Sequence, residues 1–177
     1  MIVSVARRLA ETEGWDAVTT RRLAERIEYS QPVLYSHFRG KDEIVGAVAL
    51  EGFTELTVAI VQARPAGVSG RAAVLALAEA YLAFAERHPA VYDAMFSLRN
   101  GLPFAAATTP APLLEGFAAL LDILGEVAGA DPPGLYTEVW WAALHGLVTL
   151  TRAGRLPPEQ TAARLGILVN RLVGEVD

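Results

Sequence analysis

Apolar residues recur along the chain at intervals of three and four, the spacing that brings side chains onto one face of an α-helix. The first such stripe ends shortly before Gly14, and glycine is the residue type that most often terminates helices. The stripe consists of Ile2, Val5, Ala6, Leu9 and Ala10. We therefore predict an amphipathic helix that opens the chain and stops at Gly14.

Two shorter stripes follow within residues 19–41. The first predicts a short helix that Thr19 or Thr20 can cap, because a threonine hydroxyl accepts hydrogen bonds from free N–H groups at a helix start. Its apolar positions are Leu23, Ala24 and Ile27. Ser30 can cap a second short helix, in which Pro32 is tolerated in the first turn. The inward positions of that helix are Leu34 and Phe38. Two short helices joined by a tight turn, with polar and aromatic side chains facing outward, describe a helix-turn-helix.

The rest of the chain predicts helices throughout. Residues 41–63 lack proline and form one long helix, and four to five shorter helices follow, around residues 69–87, 89–96, 113–127, 131–152 and from 157 onward. A segment rich in glycine and proline, residues 100–112, is predicted to be a loop. No segment alternates with the period of a strand. We predict an all-α fold, in which an N-terminal three-helix helix-turn-helix domain (residues 1–48) is joined by the long helix to a helical C-terminal domain (residues 49–177).

The last two helices are apolar around most of their circumference. Consecutive residues of a helix point about 100° apart. The apolar residues of the penultimate helix therefore cannot all face one core. They include Trp140, Trp141, Leu144, Leu147, Val148 and Leu150. A second apolar face predicts a partner surface.

Charge restricts where a nucleic acid can bind. The chain carries a formal net charge of −5, and residues 1–48 hold seven basic and seven acidic groups, so the whole excess of negative charge lies in the remainder. Because neutralisation of phosphates supplies much of the affinity for DNA, only the first quarter is suited to that partner. The chain has no cysteine, which excludes disulfides. No uncharged apolar run reaches the roughly 20 residues of a membrane helix, which favours a cytoplasmic protein with no membrane partner.

The segment at 19–41 also carries a family resemblance. Thr-Thr-Arg-Arg-Leu-Ala from Thr19, Gln-Pro-x-Leu-Tyr-x-His-Phe from Gln31, and then Lys41 resemble the DNA-reading segment of the tetracycline-repressor (TetR/AcrR) family. The resemblance covers about the first fifty residues. It implies a homodimeric, ligand-responsive transcription regulator of bacteria, most often a repressor, that reads a pseudo-palindromic operator in double-stranded DNA.

The resemblance and the chemistry of the side chains together propose two sets of DNA contacts. Base edges would be read near the start of the second short helix, where Gln suits adenine, Arg suits guanine, and Val or Pro can touch a thymine methyl. The base-contacting residues would be Arg21, Gln31, Pro32 and Val33. The phosphate-contacting residues would be Thr20, Tyr35, His37 and Lys41. The alternative for the same residues is an ordinary capped surface helix.

Three features depart from the family pattern. Glu28 stands where the family turn usually has a small residue, and its charge is unfavourable near DNA unless it points away. Gly40 replaces the usual polar cap before Lys41. A basic arm usually precedes the first helix, whereas this sequence begins at Ile2 after the initial methionine.

The C-terminal domain carries a second distinctive stretch. Trp141-Ala-Ala-Leu-His145-Gly146 resembles the Trp-His-Gly signature of one C-terminal domain type in the TetR family. Residues at i and i+4 share a helix face, so Trp141 and His145 can line a cavity for a small apolar or aromatic effector or can pack in the core or dimer seam. The candidate ligand residues are His88, Tyr92, Phe96, Phe117, Trp141 and His145.

The family commonly dimerises through its last two helices. The candidate dimer residues are therefore Leu147, Leu150, Leu165, Leu168 and Leu172. An interior glycine costs a helix about 1 kcal/mol relative to alanine, so we expect another helix to approach Gly146 closely.

Other function classes remain as alternatives. An all-α small-molecule-binding or interaction protein that has lost DNA reading would fit the acidic composition. An enzyme finds little support, since the three histidines lie far apart and the chain has no Gly-rich phosphate loop. We predict no metal site and no cofactor.

Overall fold

The computed structural model describes residues 1–27 and 31–173, with the backbone alone described for residues 31–33. Every regular element in these residues is helical, which confirms the all-α fold. The α-helices are α1 (Ile2–Glu13), α2 (Thr20–Ile27), α3 (Gln31–His37), α4 (Lys41–Ala63), α5 (Gly70–Arg87), α6 (Pro89–Phe96), α7 (Ala111–Leu124), α8 (Pro133–Arg152) and α9 (Thr161–Leu172). Single 3₁₀ turns at Trp15–Ala17, Gly125–Val127 and Pro158–Gln160 complete the regular structure of this part of the chain.

The chain forms two compact units. The first unit comprises Met1–Glu55 and Ala85–Leu114, and the second comprises Leu56–Phe84 and Glu115–Asp177. Within the first unit, α6 lies in the same compact body as the three N-terminal helices. The division of the chain into domains at residue 48 stays a prediction.

The first unit is built on the stripe predicted for α1, and all five of its residues are buried. Gly14 ends the helix with φ of 81°, a left-handed conformation that suits a residue without a Cβ. The inward residues of α2 and α3 are likewise buried. They are Leu23, Ala24 and Ile27 on α2 and Leu34 on α3. The predicted helix end and the inward positions of α1 and α2 are therefore confirmed, as is Leu34 on α3. Phe38, the second inward position predicted there, is half-buried and lies just after α3.

The long helix α4 has the predicted bounds. One window of it is long and apolar enough to cross a membrane, with a mean hydropathy of 1.8, but half of that window is buried inside the protein. The buried residues include Ile44, Val48, Phe53, Leu56 and Ile60. Packing in the protein core therefore accounts for the apolar character of α4.

Two glycines let the α6 region pack closely on α4. A Cβ added at Gly52 would lie 2.5 Å from Val91 Cγ1 and 2.8 Å from Met95 Sδ, both on α6. A Cβ at Gly46 would lie 2.6 Å from the carbonyl oxygen of Asn100, just after α6. Real Cβ atoms do not approach other atoms this closely, so both positions depend on glycine.

The second unit is held together by its own polar contacts. Tyr136 on α8 donates from its hydroxyl to the carbonyl of Leu172 on α9 at 2.7 Å. The indole N–H of Trp141 on α8 donates to the Tyr81 hydroxyl on α5 at 3.1 Å. These bonds tie α8 to the helix that follows it and to the helix that precedes α6.

Candidate nucleic-acid interface

The α2–α3 pair begins with a side-chain cap. The backbone N–H of Arg22 donates to the Thr19 hydroxyl at 3.2 Å, so the first of the two candidate threonines caps α2. On α3, Leu34 is fully buried, and the two helices pack against each other. Because Leu34 faces the interior, the residue after it, Tyr35, faces outward and is exposed.

The structure brings two predicted phosphate contacts together. The hydroxyl oxygens of Thr20 on α2 and Tyr35 on α3 lie 3.3 Å apart on the exposed side of the pair. Each hydroxyl has one proton to donate and lone pairs to accept, so one can donate to the other while a proton remains for an anion. His37 is also exposed, two residues further along α3. A shallow cleft of about 370 Å³ lies beside it, lined by Met1, Ile2, Val3, His37 and Phe38.

Lys41 lies at the first position of α4 and is partly buried. Its ammonium group donates a hydrogen bond to the carbonyl of Trp15. An ammonium carries three protons, so this bond leaves two for another acceptor. The bond also holds the start of α4 to the end of α1.

Arginine side chains on α2 are divided between two surroundings. Glu13 accepts hydrogen bonds from Arg22 and Arg26, each at 2.8 Å, and the bond from Arg22 lowers the pKa of the Glu13 carboxyl. Arg21 is paired with its neighbour on the helix surface, Glu25, at 3.0 Å. Both side chains of that pair are largely exposed, and such a pair contributes little, so water or a phosphate can replace it. Of the arginines on α2, Arg21 is therefore the one presented outward.

The remaining predicted base contacts lie outside what the structure describes. They are Gln31, Pro32 and Val33, whose backbone alone is described, in the first turn of α3. Glu28 and Ser30, the departure in the turn and its proposed cap, also lie outside the described residues.

The candidate ligand residues fall in different units. His88, Tyr92 and Phe96 belong to the first unit, and Phe117, Trp141 and His145 to the second. In the first unit the rings of Tyr92 and Phe96 are 4.7 Å apart, and Phe96 meets Phe53 of α4 edge-on at 5.3 Å. These three rings form one aromatic cluster between α4 and α6.

In the second unit, His145 and Trp141 are half-buried on α8. Burial lowers the pKa of His145, because a charged imidazolium loses hydration inside the protein. The neutral imidazole carries one donor and one acceptor nitrogen, which suits contact with an uncharged molecule. Phe117 on α7 is also half-buried.

The outward face of α8 and α9 differs from the predicted dimer residues. Leu165 is only 3% exposed, so its side chain lies inside the second unit and not on the outward face. Leu147, Leu168 and Leu172 are half-buried, and Leu150 is exposed. The large apolar side chains most exposed on these two helices are Leu135 (59%), Val139 (57%) and Ile167 (64%).

Sequence reasoning missed those three residues, although a signal for two of them was present. Leu135 and Val139 are spaced by four, on the side of α8 opposite the buried residues. A Cβ added at Gly146 would meet nothing within 4 Å. The close approach of another helix expected at Gly146 is therefore absent within the described chain.

Sequence reasoning also missed the polar contacts that α1 makes with α4 and α6. Arg7 forms a two-bonded ion pair with Glu55 of α4, with Nη2 at 2.7 Å from Oε2. Glu11 and Trp15 bond to the backbone at the start of α6. The described residues contain no group of three or more histidine or carboxylate side chains placed to hold a metal ion.

Comparison with known proteins agrees with this arrangement. Residues 2–48 match the family of bacterial regulatory proteins named after tetR, and residues 74–172 match the tetracyclin repressor-like C-terminal domain. An HTH-type transcriptional regulator of Mycobacterium tuberculosis is 28% identical over 99% of this chain and 80% of its own length. The class A tetracycline repressor of transposon 1721 from Escherichia coli is 44% identical over 48 residues, which are 27% of this chain and 22% of that protein.

A solved structure extends the likeness to the whole fold. A protein of unknown function from Rhodococcus sp. RHA1 superimposes with a TM-score of 0.78 at 27% identity, covering 98% of this chain and 94% of that one. The two domain matches together span most of the chain. The chain therefore belongs to the TetR family of transcriptional regulators, with a DNA-binding helix-turn-helix followed by a ligand-binding helical C-terminal domain.

Proposed function

We propose that the protein is a cytoplasmic repressor that binds a pseudo-palindromic operator as a homodimer and leaves it when a small apolar or aromatic molecule binds in the C-terminal domain. The observation that carries the proposal is the α2–α3 pair. Leu34 anchors α3 inward, and the hydroxyls of Thr20 and Tyr35 meet on the exposed side, 3.3 Å apart. This pair and the first turn of α3 form the surface that would enter the major groove.

In this proposal the DNA contacts have two roles. Thr20, Tyr35, His37 and Lys41 would hold the phosphates of one half-site and fix the register of α3. Arg21, Gln31, Pro32 and Val33 would contact base edges, as expected for residues at the start of a recognition helix. Release of Arg21 from its exposed pair with Glu25 would free its guanidinium for a guanine.

The outward apolar face of α8 and α9 supports the homodimer. A monomer would leave Leu135, Val139 and Ile167 in water, whereas a second copy would cover them. Leu150 adjoins this face, and Leu147, Leu168 and Leu172 would lie at its margin. Gly146, with open space where a Cβ would be, permits a second helix to approach. A twofold dimer would present two reading surfaces about 34–36 Å apart, the spacing of half-sites separated by one turn of DNA.

For the effector we propose candidate residues in each unit, taken separately. The neutral imidazole of His145 beside Trp141 would supply a polar contact in an apolar surrounding, consistent with the Trp-His-Gly type. Phe117 and the set of His88, Tyr92 and Phe96 would supply aromatic contacts. Binding would shift α4, the long helix that starts beside the reading surface at Lys41.

The experiment is operator selection from a random duplex pool, followed by affinity measurements over a range of salt concentrations. We expect Arg21→Ala and Gln31→Ala to lower the preference for the selected site by about tenfold or more, since one good base contact discriminates by roughly 1–3 kcal/mol. Lys41→Ala should weaken all sequences alike and flatten the salt dependence. Arg71→Ala, at an exposed arginine of the second unit, is the matched control and should change neither quantity.

Failure to enrich any sequence would overturn the proposal. A protein that still dimerises and binds an apolar ligand without reading DNA would instead be an all-α ligand-binding or interaction protein.

A further inference from the structure

The start of α6 is capped by a residue from another helix. The first N–H groups of a helix have no partner within it and need an acceptor. Pro89 has no N–H, and the N–H of Tyr92 donates to the carbonyl of His88 at 2.9 Å. The two N–H groups between them, on Ala90 and Val91, donate to the two carboxylate oxygens of Glu11 on α1, each at 3.2 Å.

A second bond runs from α1 to the same place. The indole N–H of Trp15, just beyond α1, donates to the carbonyl of Ala90 at 2.8 Å. Ala90 is thus held through its N–H and its C=O by two residues of the N-terminal segment. Trp15, Ala90 and Val91 are buried, so water does not readily replace the bond from Trp15, whereas the two bonds to the half-buried Glu11 are only partly shielded. We call this arrangement of Glu11 and Trp15 on the first turn of α6 the latch.

Arg7 extends the contact to α4. Glu11 follows Arg7 by four residues on α1, so the two side chains share one face of that helix. The guanidinium of Arg7 is bonded to Glu55 of α4, and its Nη2 lies 3.4 Å from His88 Nδ1, at the residue that precedes α6. The start of α6, α4 and α1 therefore meet at one group of polar contacts inside the first unit.

The position of α6 in the chain gives the latch a role. By family match, α6 belongs to the C-terminal domain, residues 74–172, and it follows α5 with only His88 between them. Its described contacts nevertheless join it to α1 and α4 in the first unit. A displacement of α6 that begins in the C-terminal domain would therefore act on the DNA-binding helices through the contacts of the latch.

We propose that Glu11, supported by Trp15, is a positioning residue for DNA reading, which fixes the helix-turn-helix to the start of α6 and transmits displacements of α6 to it. The proposal rests on the proposed function for its DNA readout. A carboxylate suits this role because its two oxygens accept both N–H groups at once and its charge favours a helix N-terminus. Glutamine in the same place has one acceptor oxygen and no charge, so Glu11→Gln removes one bond while keeping the size of the side chain.

The test displaces α6 without any effector. Gly52→Ala places a Cβ 2.5 Å from Val91 Cγ1 and 2.8 Å from Met95 Sδ, so these side chains, or α6 with them, have to shift away from α4. We measure the affinity for the selected operator in the wild type, Gly52→Ala, Glu11→Gln and the double variant, as a double-mutant cycle. We expect Gly52→Ala to weaken binding about tenfold when Glu11 is present and less than about threefold in the Glu11→Gln background.

Matched variants separate transmission from general damage. Glu79→Gln removes an exposed carboxylate from α5 and should leave the effect of Gly52→Ala at its full size. Trp15→Phe removes the indole donor together with part of the buried ring system and should reduce the effect partly. If Gly52→Ala does not fold, Gly46→Ala replaces it, because its Cβ would press on Asn100, whose side chain donates to the carbonyl of Ala94 on α6.

Amide hydrogen exchange supplies a readout that needs no DNA. Glu11→Gln should speed exchange at Ala90 and Val91, and Gly52→Ala should speed exchange in α1 only when Glu11 is intact. Equal effects of Gly52→Ala in both backgrounds, on exchange and on operator affinity, would overturn the latch. The variants could show this coupling in exchange while the wild-type protein selects no operator. That result would overturn the proposed function and leave the latch supported as a link between α6 and α1.

Discussion

The outward faces of two helix pairs have opposite chemistry. On α2 and α3 the inward face holds Leu23, Ala24, Ile27 and Leu34, and the outer face carries hydroxyls, an imidazole and the Arg21 guanidinium. On α8 an equally well-buried inner face, with Trp140 and Leu144 at 0% exposure, is backed by an outer face on which Leu135 and Val139 are more than half exposed. Both helix pairs bury an apolar inner face, but only the α2–α3 pair has a polar outer face.

The difference shows what each surface is suited to bind. Polar groups on a helix pair can exchange water for phosphates and base edges at little cost, so that surface is stable both free and bound. An apolar face gains free energy only when another apolar surface covers it. The first surface therefore suits a reversible partner such as DNA, and the second suits a lasting one such as a second copy of the chain.

A charge placed on the apolar face of α8 should have the largest effect, which is on the stability of the dimer. We expect Val139→Glu to raise the dissociation constant of the dimer by about 1,000-fold or more, because the change acts twice across a twofold axis and each copy would bury an unpaired carboxylate. Sedimentation velocity measures it. Val61→Glu is the matched control, since Val61 on α4 is exposed to the same extent, 58% against 57%. Equal dissociation of both variants would show that α8 carries no special interface.

Removing the inward anchor of α3 should have the next largest effect. Leu34 is fully buried, and replacing a buried leucine with alanine costs about 2–5 kcal/mol. We expect Leu34→Ala to lower the free energy of unfolding by about 3 kcal/mol, as urea denaturation would measure it. Leu98→Ala, at an exposed leucine of the same unit, should cost well under about 1 kcal/mol. Similar costs at both positions would contradict the assigned inward face.

Removal of a single hydroxyl tests how the polar face of α2 and α3 contributes to operator affinity. Tyr35→Phe keeps the ring and deletes the group that lies 3.3 Å from the Thr20 hydroxyl. We expect operator affinity to fall about tenfold, since a hydrogen bond to a charged group contributes roughly 1.5–3 kcal/mol. Thr20→Val should give a similar loss, and the double variant less than the sum, because both hydroxyls would hold one phosphate. Additive losses would instead place the two hydroxyls on separate phosphates.

The smallest expected effect is the pH dependence that His145 on α8 adds to stability. Burial lowers the pKa of His145, so between that pKa and the unfolded value of about 6.5 the unfolded state binds more protons than the folded state. The contribution of His145 to stability is then fully present above about pH 6.5 and is lost as the pH falls through its folded pKa. The free energy of unfolding falls between about pH 7.5 and pH 5. We expect His145→Gln to make that fall smaller by less than about 1 kcal/mol.

Much of the first unit was readable from local pattern. The α1 stripe, Gly14 as its end and the bounds of α4 all follow from periodicity and from residues with strong local preferences. The candidate phosphate contacts Thr20 and Tyr35 were named from separate helices, and the structure places them side by side. Local pattern succeeds here because each helix has one apolar stripe, which leaves a single way to face the core.

The same reasoning failed on α8 and α9 for a physical reason. When a helix is apolar around most of its circumference, its sequence does not specify which stripe faces inward. Packing of Tyr136, Trp140, Leu144 and Val148 decided it. That choice left Leu135 and Val139 outside and, on α9, turned Leu165 inward.

The sequence by itself therefore determined the all-α fold, the helix-turn-helix and the membership of the family. These depend on the repeat of apolar residues and the spacing of motif residues within a few helical turns. Tertiary structure alone decided which apolar face stays exposed and how the helix-turn-helix is attached to the rest of the first unit. Glu11 and the two amides it caps are about eighty residues apart. The sequence around Glu11 does not indicate such a partner. Glu11 becomes a helix cap only because α6 packs against α1.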